Sequence, residues 1–279
     1  MAIDPDDRDR PVSMIRADRQ PSTRRRLAVA TWRPSRDGRI YTRLAVDAGP
    51  MLAYVERVRA ATATPLSITH VIGTAIGRVV RDEPAIRARV VFGRIRPYPS
   101  CDVGFAVDID DGVDLAPVTV RGIDAKTPVE VAREVVAGAR RLRSGADRHH
   151  RRSSRLLRLA PTAVLRPVLA VTGVLVGGLG IAAFGQPGFP LGAAFVSNVG
   201  SLGLDEAFLA PLPFARVPLY LGVGIVRDAV AAVDGQVVVR PEVVLTATAD
   251  HRLIDGAHAG RVAAGLRGYL ADPSALDTP

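Results

Sequence analysis

Hydrophobic and polar positions alternate along this chain in two distinct rhythms. Residues 39–47, 103–108, 115–120, 193–197, 219–226 and 237–248 are short β-branched or alternating runs, the pattern of strands, and 27–32 and 90–95 read the same way. Between them stand stretches with a 3.6-residue period. Pro50 to Ala61 places Met51, Leu52, Val55 and Val58 on one face. Ser67 or Thr69 starts a helix carrying Val71, Ile72, Ala75, Ile76 and Val79 that Pro84 ends. Thr127 to Arg143 has Thr127 as N-cap and Pro128 in its first turn. Gly256 to Leu270 forms the last helix. The Asp110-Asp111-Gly112 turn joins two of the strands as a hairpin. Strands and helices mix without strict βαβ alternation, so the pattern predicts an α/β sandwich with a mixed sheet and flanking helices rather than a dinucleotide-binding sheet.

Composition fits one catalytic domain. The 279 residues are 48% hydrophobic, enough for a large core. The single cysteine, Cys101, excludes an internal disulfide, and no Cys/His cluster has metal-ligand spacing, so no metal is expected. Cys101 opens a strand and reads as a small buried residue. The N-terminus lacks an apolar stretch and is not a secretory signal. We read residues 1–22 as a tail, 23–272 as the catalytic domain and 273–279 as a second tail.

The charge of +9 is almost all arginine, since Lys126 is the sole lysine. It concentrates at Arg24-Arg25-Arg26 and between Arg140 and Arg158, where His149 and His150 also lie. Neither cluster is interleaved with aromatics and no recognition motif is present, which argues against nucleic acid as partner. An uncharged run, residues 167–186, follows the second cluster. Its length and polarity suit a bilayer span, but sequence on both sides belongs to one domain. A lid over the active site, or contact of residues 148–186 with a membrane surface, avoids splitting that domain. The expected location is therefore cytoplasmic, with membrane association left open.

Chemistry concentrates at residues 245–256, LTATADHRLIDG. An apolar run ends at Asp250-His251, a second carboxylate follows at Asp255, and Gly256 gives the turn backbone freedom. A histidine at a strand end is rigidly held yet open to a cleft, which suits a general base. A chance strand-to-helix corner would show the same pattern. Three further segments bear on the choice: LSITHVIGTAIGRVVRDEP at 66–84, CDVGFAVDIDDGVDLAPVTVRGID at 101–124 and FVSNVGSLG at 195–203.

Together, in this order, these segments resemble the acyltransferase core of 2-oxo-acid dehydrogenase complexes, the dihydrolipoamide acyltransferases, over roughly residues 40–271. Chloramphenicol acetyltransferase shares the fold, so the resemblance implies a chloramphenicol-acetyltransferase-like sandwich. It implies acyl transfer with His251 as base, Ser197 as oxyanion donor and Asp255 as an orienter that pairs with an arginine, Arg24, Arg25, Arg26 or Arg252. Asp250, Arg252, Gly256 and Asn198 would support the site. His70, His149, His150 and His258 match no catalytic position of the family. Coenzyme A is the implied cosubstrate, and its binding residues are not assigned. Lys126 lies in Asp-Ala-Lys, not in a lipoyl turn, so the expected acyl carrier is free acyl-CoA or a lipoyl domain on another protein. A homotrimer is implied, with His251 from one subunit and Ser197 from its neighbour. About forty residues at 144–190 exceed the family's short linker. A non-catalytic scaffolding relative, or a membrane-surface relative, is the alternative function.

Overall fold

The computed structural model describes residues 38–109, 115–144 and 162–279. Seven strands form one mixed sheet. In chain order they are β1 (Arg39–Asp47), β4 (Val103–Asp108), β5 (Leu115–Val120), β6 (Ala194–Asn198), β7 (Leu219–Val223), β8 (Arg227–Val233) and β9 (Gln236–Asp250). The main path runs β1-β9-β7-β6-β4-β5, and β8 pairs with the first half of β9. β4, β6 and β7 are mutually parallel, and the remaining pairs are antiparallel. A separate two-stranded ribbon is made by β2 (Ala88–Val91) and β3 (Arg94–Pro97).

Among the described residues, five α-helices accompany the strands: α1 (Gly49–Thr62), α2 (Ile68–Asp82), α3 (Pro128–Arg143), α4 (Thr162–Thr172) and α5 (Gly256–Ala271). Helix α2 is buried from His70 to Val80 and lies in the core between the sheet and α5. Two glycines let it approach so closely. A Cβ on Gly73 would run into the Phe105 ring, and one on Gly77 into Ile123. Helix α3 begins as its sequence predicts, with Thr127 and Glu130 forming a capping box and Pro128 in the first turn.

Several expectations need correction. The strand predicted at 90–95 is a hairpin, because Phe92 and Gly93 both take positive φ and reverse the chain. The strand predicted at 219–226 stops at Val223, and β8 follows it, turning into β9 through Asp234-Gly235. Along α1 the buried residues are Met51, Tyr54 and Val55, while Leu52 is exposed. Residues 273–276 are not a free tail. They form a 3-10 turn with Leu276 buried, and Asp277 accepts a hydrogen bond from the Tyr54 hydroxyl at 2.5 Å. The strand at 27–32, the tail at 1–22, the hairpin turn at Asp110-Asp111-Gly112 and the Arg24–Arg26 cluster lie outside the described residues, as does most of the second arginine cluster.

The uncharged run is helical only as far as Leu179. Helix α4 contains Pro167 and passes into a π-helix, Gly173–Leu179, which ends at Gly180 with a left-handed backbone. Gly173 and Gly177 press against the backbone at Phe214 and Ala215. Among the described residues, no helix is long and apolar enough to cross a membrane.

Candidate active site

Strand β9 delivers His251 to the edge of the sheet. Asp250 is the last paired residue, opposite Arg39, and the His251 amide still donates to the Gly38 carbonyl at 3.2 Å. A tight turn follows, in which the amides of Leu253 and Ile254 both donate to the Asp250 carbonyl. The His251 ring, exposed to solvent, sets Nδ1 2.9 Å from the Ile254 carbonyl oxygen. A carbonyl can only accept, so Nδ1 carries the proton and Nε2 presents its lone pair outward. The turn thus selects the tautomer that a general base needs.

Asp250 braces this turn from beneath. Its buried carboxylate takes a two-pronged contact from the Arg252 guanidinium, with Nη2 at 2.6 Å and Nε at 2.9 Å, and Arg39 approaches to 3.4 Å. Burial alone pushes the Asp250 carboxyl up. The hydrogen bonds from Arg252 and the charges of Arg252 and Arg39 outweigh it and hold the group below its ordinary value.

Asp255 has a different partner from the one expected. It is the N-cap of α5, accepting from the His258 amide at 2.9 Å, with His258 Nδ1 2.6 Å from the same oxygen. Those backbone and side-chain hydrogen bonds from His258 keep its carboxyl below the ordinary range. Arg252, one of its four proposed arginine partners, turns to Asp250 instead, and the other three lie outside the described residues. The i,i+3 spacing of Asp255 and His258 ahead of a helix was the available signal. Gly256 is simply the first residue of α5.

Ser197 is the penultimate residue of β6 and is buried. Its hydroxyl makes no hydrogen bond among the described residues, so it remains uncommitted. Beside it, the Asn198 amide nitrogen donates to Thr69 Oγ1 at 2.9 Å, and its oxygen accepts from the Ser201 amide. Asn198 therefore ties the end of β6 to the start of α2. The next residue of α2, His70, is buried and accepts a hydrogen bond at Nδ1 from the Ser67 amide at 3.0 Å. Burial, aided by the charge of Arg59, lowers its pKa to about 4. Ser67, one of the two expected helix starts, is the N-cap, while the part His70 plays in that cap was not anticipated from sequence. Cys101 is buried as expected, and burial raises its thiol pKa.

Register separates the base from the hydroxyl. Ser197 stands opposite Gly222, which stands opposite Thr246. His251 lies a further five residues along β9. At about 3.4 Å per residue and about 4.8 Å per strand, the two are roughly 19 Å apart within one chain.

The fold as a whole matches those of solved acyltransferase cores. The dihydrolipoamide acetyltransferase of Azotobacter vinelandii superposes with a TM-score of 0.67 at 20% identity, over 93% of each chain. The cubic core of a pyruvate dehydrogenase multienzyme complex gives 0.66 at 20%, over 96% of this chain and 98% of that one. A probable dihydrolipoamide acetyltransferase of Listeria monocytogenes gives 0.64 at 16%, over 88% of each chain. The fold is thus that of a dihydrolipoamide acetyltransferase catalytic core.

The chain belongs to the family of 2-oxoacid dehydrogenase acyltransferases, matching the model of its catalytic domain at residues 34–151 and 191–277. Among curated relatives, the dihydrolipoyllysine-residue acetyltransferase component of the pyruvate dehydrogenase complex of Mycoplasma capricolum is 28% identical over 221 residues, 77% of this chain and 41% of that protein. The corresponding component of the acetoin cleaving system of Bacillus subtilis is 24% identical over 215 residues, 76% of this chain and 43% of that protein. The chain spans less than half the length of these two relatives.

Proposed function

We propose that this acyltransferase passes an acyl group between coenzyme A and a second thiol, with His251 as general base and Ser197 as oxyanion donor. The observation that carries the reading is the Nδ1–Ile254 hydrogen bond, which leaves Nε2 as a proton acceptor at a strand end. Nε2 takes the proton of the acceptor thiol, and the thiolate attacks the carbonyl carbon of the thioester. The carbonyl oxygen becomes negative and accepts a hydrogen bond from the Ser197 hydroxyl. The intermediate collapses, the C–S bond to the donor breaks, and the departing thiolate takes the proton back from Nε2. A thiol near pKa 8.5 and an imidazole near 6.5 are close enough for this shuttle.

A dihydrolipoyl group is the acceptor this reading favours, and acyl-CoA is the second substrate. The Azotobacter structure was solved to examine a serine, a histidine and an asparagine in that enzyme's catalytic mechanism. Its asparagine follows its histidine by four residues, the spacing from His251 to Asp255 here. We assign Asp255 as a positioning residue, acting through the cap that fixes the start of α5.

Because one chain keeps Ser197 and His251 far apart, the active site forms between two copies, and a trimer closes such contacts by symmetry. Arg252, Asp250 and Asn198 hold the two half-sites in shape.

The deciding experiment measures thiol release from acetyl-, branched and long-chain acyl-CoAs with dihydrolipoamide as acceptor. His251→Ala should lower kcat about a hundredfold to ten-thousandfold, and Ser197→Ala about a hundredfold to a thousandfold. Wild-type protein that binds CoA yet turns over none of these donors would leave the scaffolding alternative standing.

A further inference from the structure

A second surface, made of residues outside the candidate catalytic motif, joins the β2–β3 ribbon to the π-helix. Phe92, Arg94, Arg96 and Leu179 line one concavity of about 460 Å3 there. Arg89 forms its floor. It donates to the carbonyl of Gly178 at 2.7 Å and stacks on the rings of Tyr98 and Phe189, so it is spent on structure. The guanidinium groups of Arg94 and Arg96 are exposed and have no ion-pair or hydrogen-bond partner among the described residues. Leu179 belongs to residues 152–190, which the family match leaves out.

Two turns, one closing the ribbon and one a few residues after the π-helix, break the usual turn chemistry in the same way. Phe92-Gly93 closes the ribbon, and Phe184-Gly185 closes the Ala183–Gln186 bridge that follows the π-helix. Both phenylalanines take φ near +50, a backbone region unfavourable for a bulky side chain. Both are exposed, Phe92 at 76% and Phe184 at 55%. The turn between β8 and β9 has the same positive φ pair but uses Asp234-Gly235, the residue types that suit it. A phenylalanine at a turn tip is thus unfavourable in backbone and in solvation alike, and it stands twice where asparagine or aspartate would be easier. Leu179 and Ile181, between the two tips in the uncharged run, are exposed as well.

We propose that this surface docks on an anionic membrane, with Phe92 and Phe184 entering the interface and Arg94 and Arg96 gripping lipid phosphates. Aromatic tips beside unpaired arginines are the chemistry of interfacial binding. Charge argues against a two-fold contact with a second copy, because such a contact would bring the arginines of both copies together. The inference does not depend on the acyltransferase reading, since none of these residues is in the catalytic motif.

Co-sedimentation of the full chain with vesicles tests it. Phosphatidylcholine vesicles are compared with equimolar phosphatidylcholine and phosphatidylglycerol. Binding is expected to the anionic vesicles only and to weaken with salt. Phe92→Asn and Phe184→Asn should each weaken it on the order of tenfold, and Arg94→Gln and Arg96→Gln roughly fivefold each. Val237→Ser, an exposed apolar site on β9, should leave binding unchanged. The asparagine variants create Asn-Gly turns, so they should melt no lower than wild type, which separates loss of docking from loss of fold. No binding to anionic vesicles, or binding that survives all four substitutions, overturns the proposal. So does a fall in oligomer mass of the asparagine variants without vesicles, which would assign the face to another copy.

Discussion

A histidine enclosed by apolar side chains loses more from carrying a proton than it gains. His70 therefore makes the fold sensitive to acid. Its folded pKa of about 4 lies below the unfolded value of 6.5, so the unfolded chain binds more protons in between. Stability from this residue is full above pH 6.5 and falls as pH drops toward 4, by about 3 kcal/mol at the limit. Urea midpoints should decline across that window in wild type, and His70→Asn should flatten the decline. Asp250 has the opposite residue type and a depressed pKa, so its contribution is present above the ordinary carboxylate value and lost at lower pH still. Asp250→Asn should destabilise by about 2 kcal/mol by removing the carboxylate charge that the Arg252 guanidinium grips in two places. The sequence motif made His251, Ser197 and Asp255 legible as candidates. It did not show that Asp250, rather than Asp255, takes Arg252, because a carboxylate's partner depends on which way a turn points its neighbours.

At the scale of elements, close approach and turn chemistry decide what a substitution does. Gly73→Ala would push α2 off Phe105, and Gly77→Ala would push it off Ile123, each at about 1–3 kcal/mol. Thr127→Ala removes the N-cap of α3 and should cost about 1 kcal/mol. Thermal melts of the three variants against wild type check all of these. Long helices were readable because amphipathic spacing, caps and prolines all agree. Strand β8 was also readable in principle, since Asp234-Gly235 between VAAV and QVVV is a strong hairpin signal. The β2–β3 hairpin was not, because Phe92-Gly93 is a poor turn sequence and the flanking residues run on as one β-branched stretch.

For the whole molecule, the separation of Ser197 from His251 along the sheet bears on where the proposed site forms. Ser197 at the end of β6 and His251 beyond β9 belong to different strand ends, and no side-chain rotation closes roughly 19 Å. If copies share the site, His251→Ala and Ser197→Ala should complement each other. Unfolding and refolding the two inactive variants together should restore a substantial part of wild-type turnover, while each alone stays inactive. Failure to restore activity in mixed oligomers that demonstrably form would place both groups in one chain after a rearrangement. The C-terminal residues also act at this scale. Leu276 is buried, and Arg78, within α2, donates to the Thr278 carbonyl at 2.9 Å. Removing residues 273–279 should therefore lower the melting temperature of the whole domain.

The amino-acid sequence by itself determined the period of each main element, most of the helix ends and the residues of the candidate catalytic motif. Those properties follow from neighbours a few positions away: an apolar stripe, a capping residue, a proline, a histidine at the end of a β-branched run. The tertiary structure alone decided that β9 lies between β1 and β7, that β6 runs parallel to β7, which arginines face Asp250, and that the last residues dock on α1 and α2. Each of these depends on contacts between positions far apart in sequence. Nothing in the local chemistry of either partner distinguishes the chosen contact from its rivals, and only the packing of the complete core selects it.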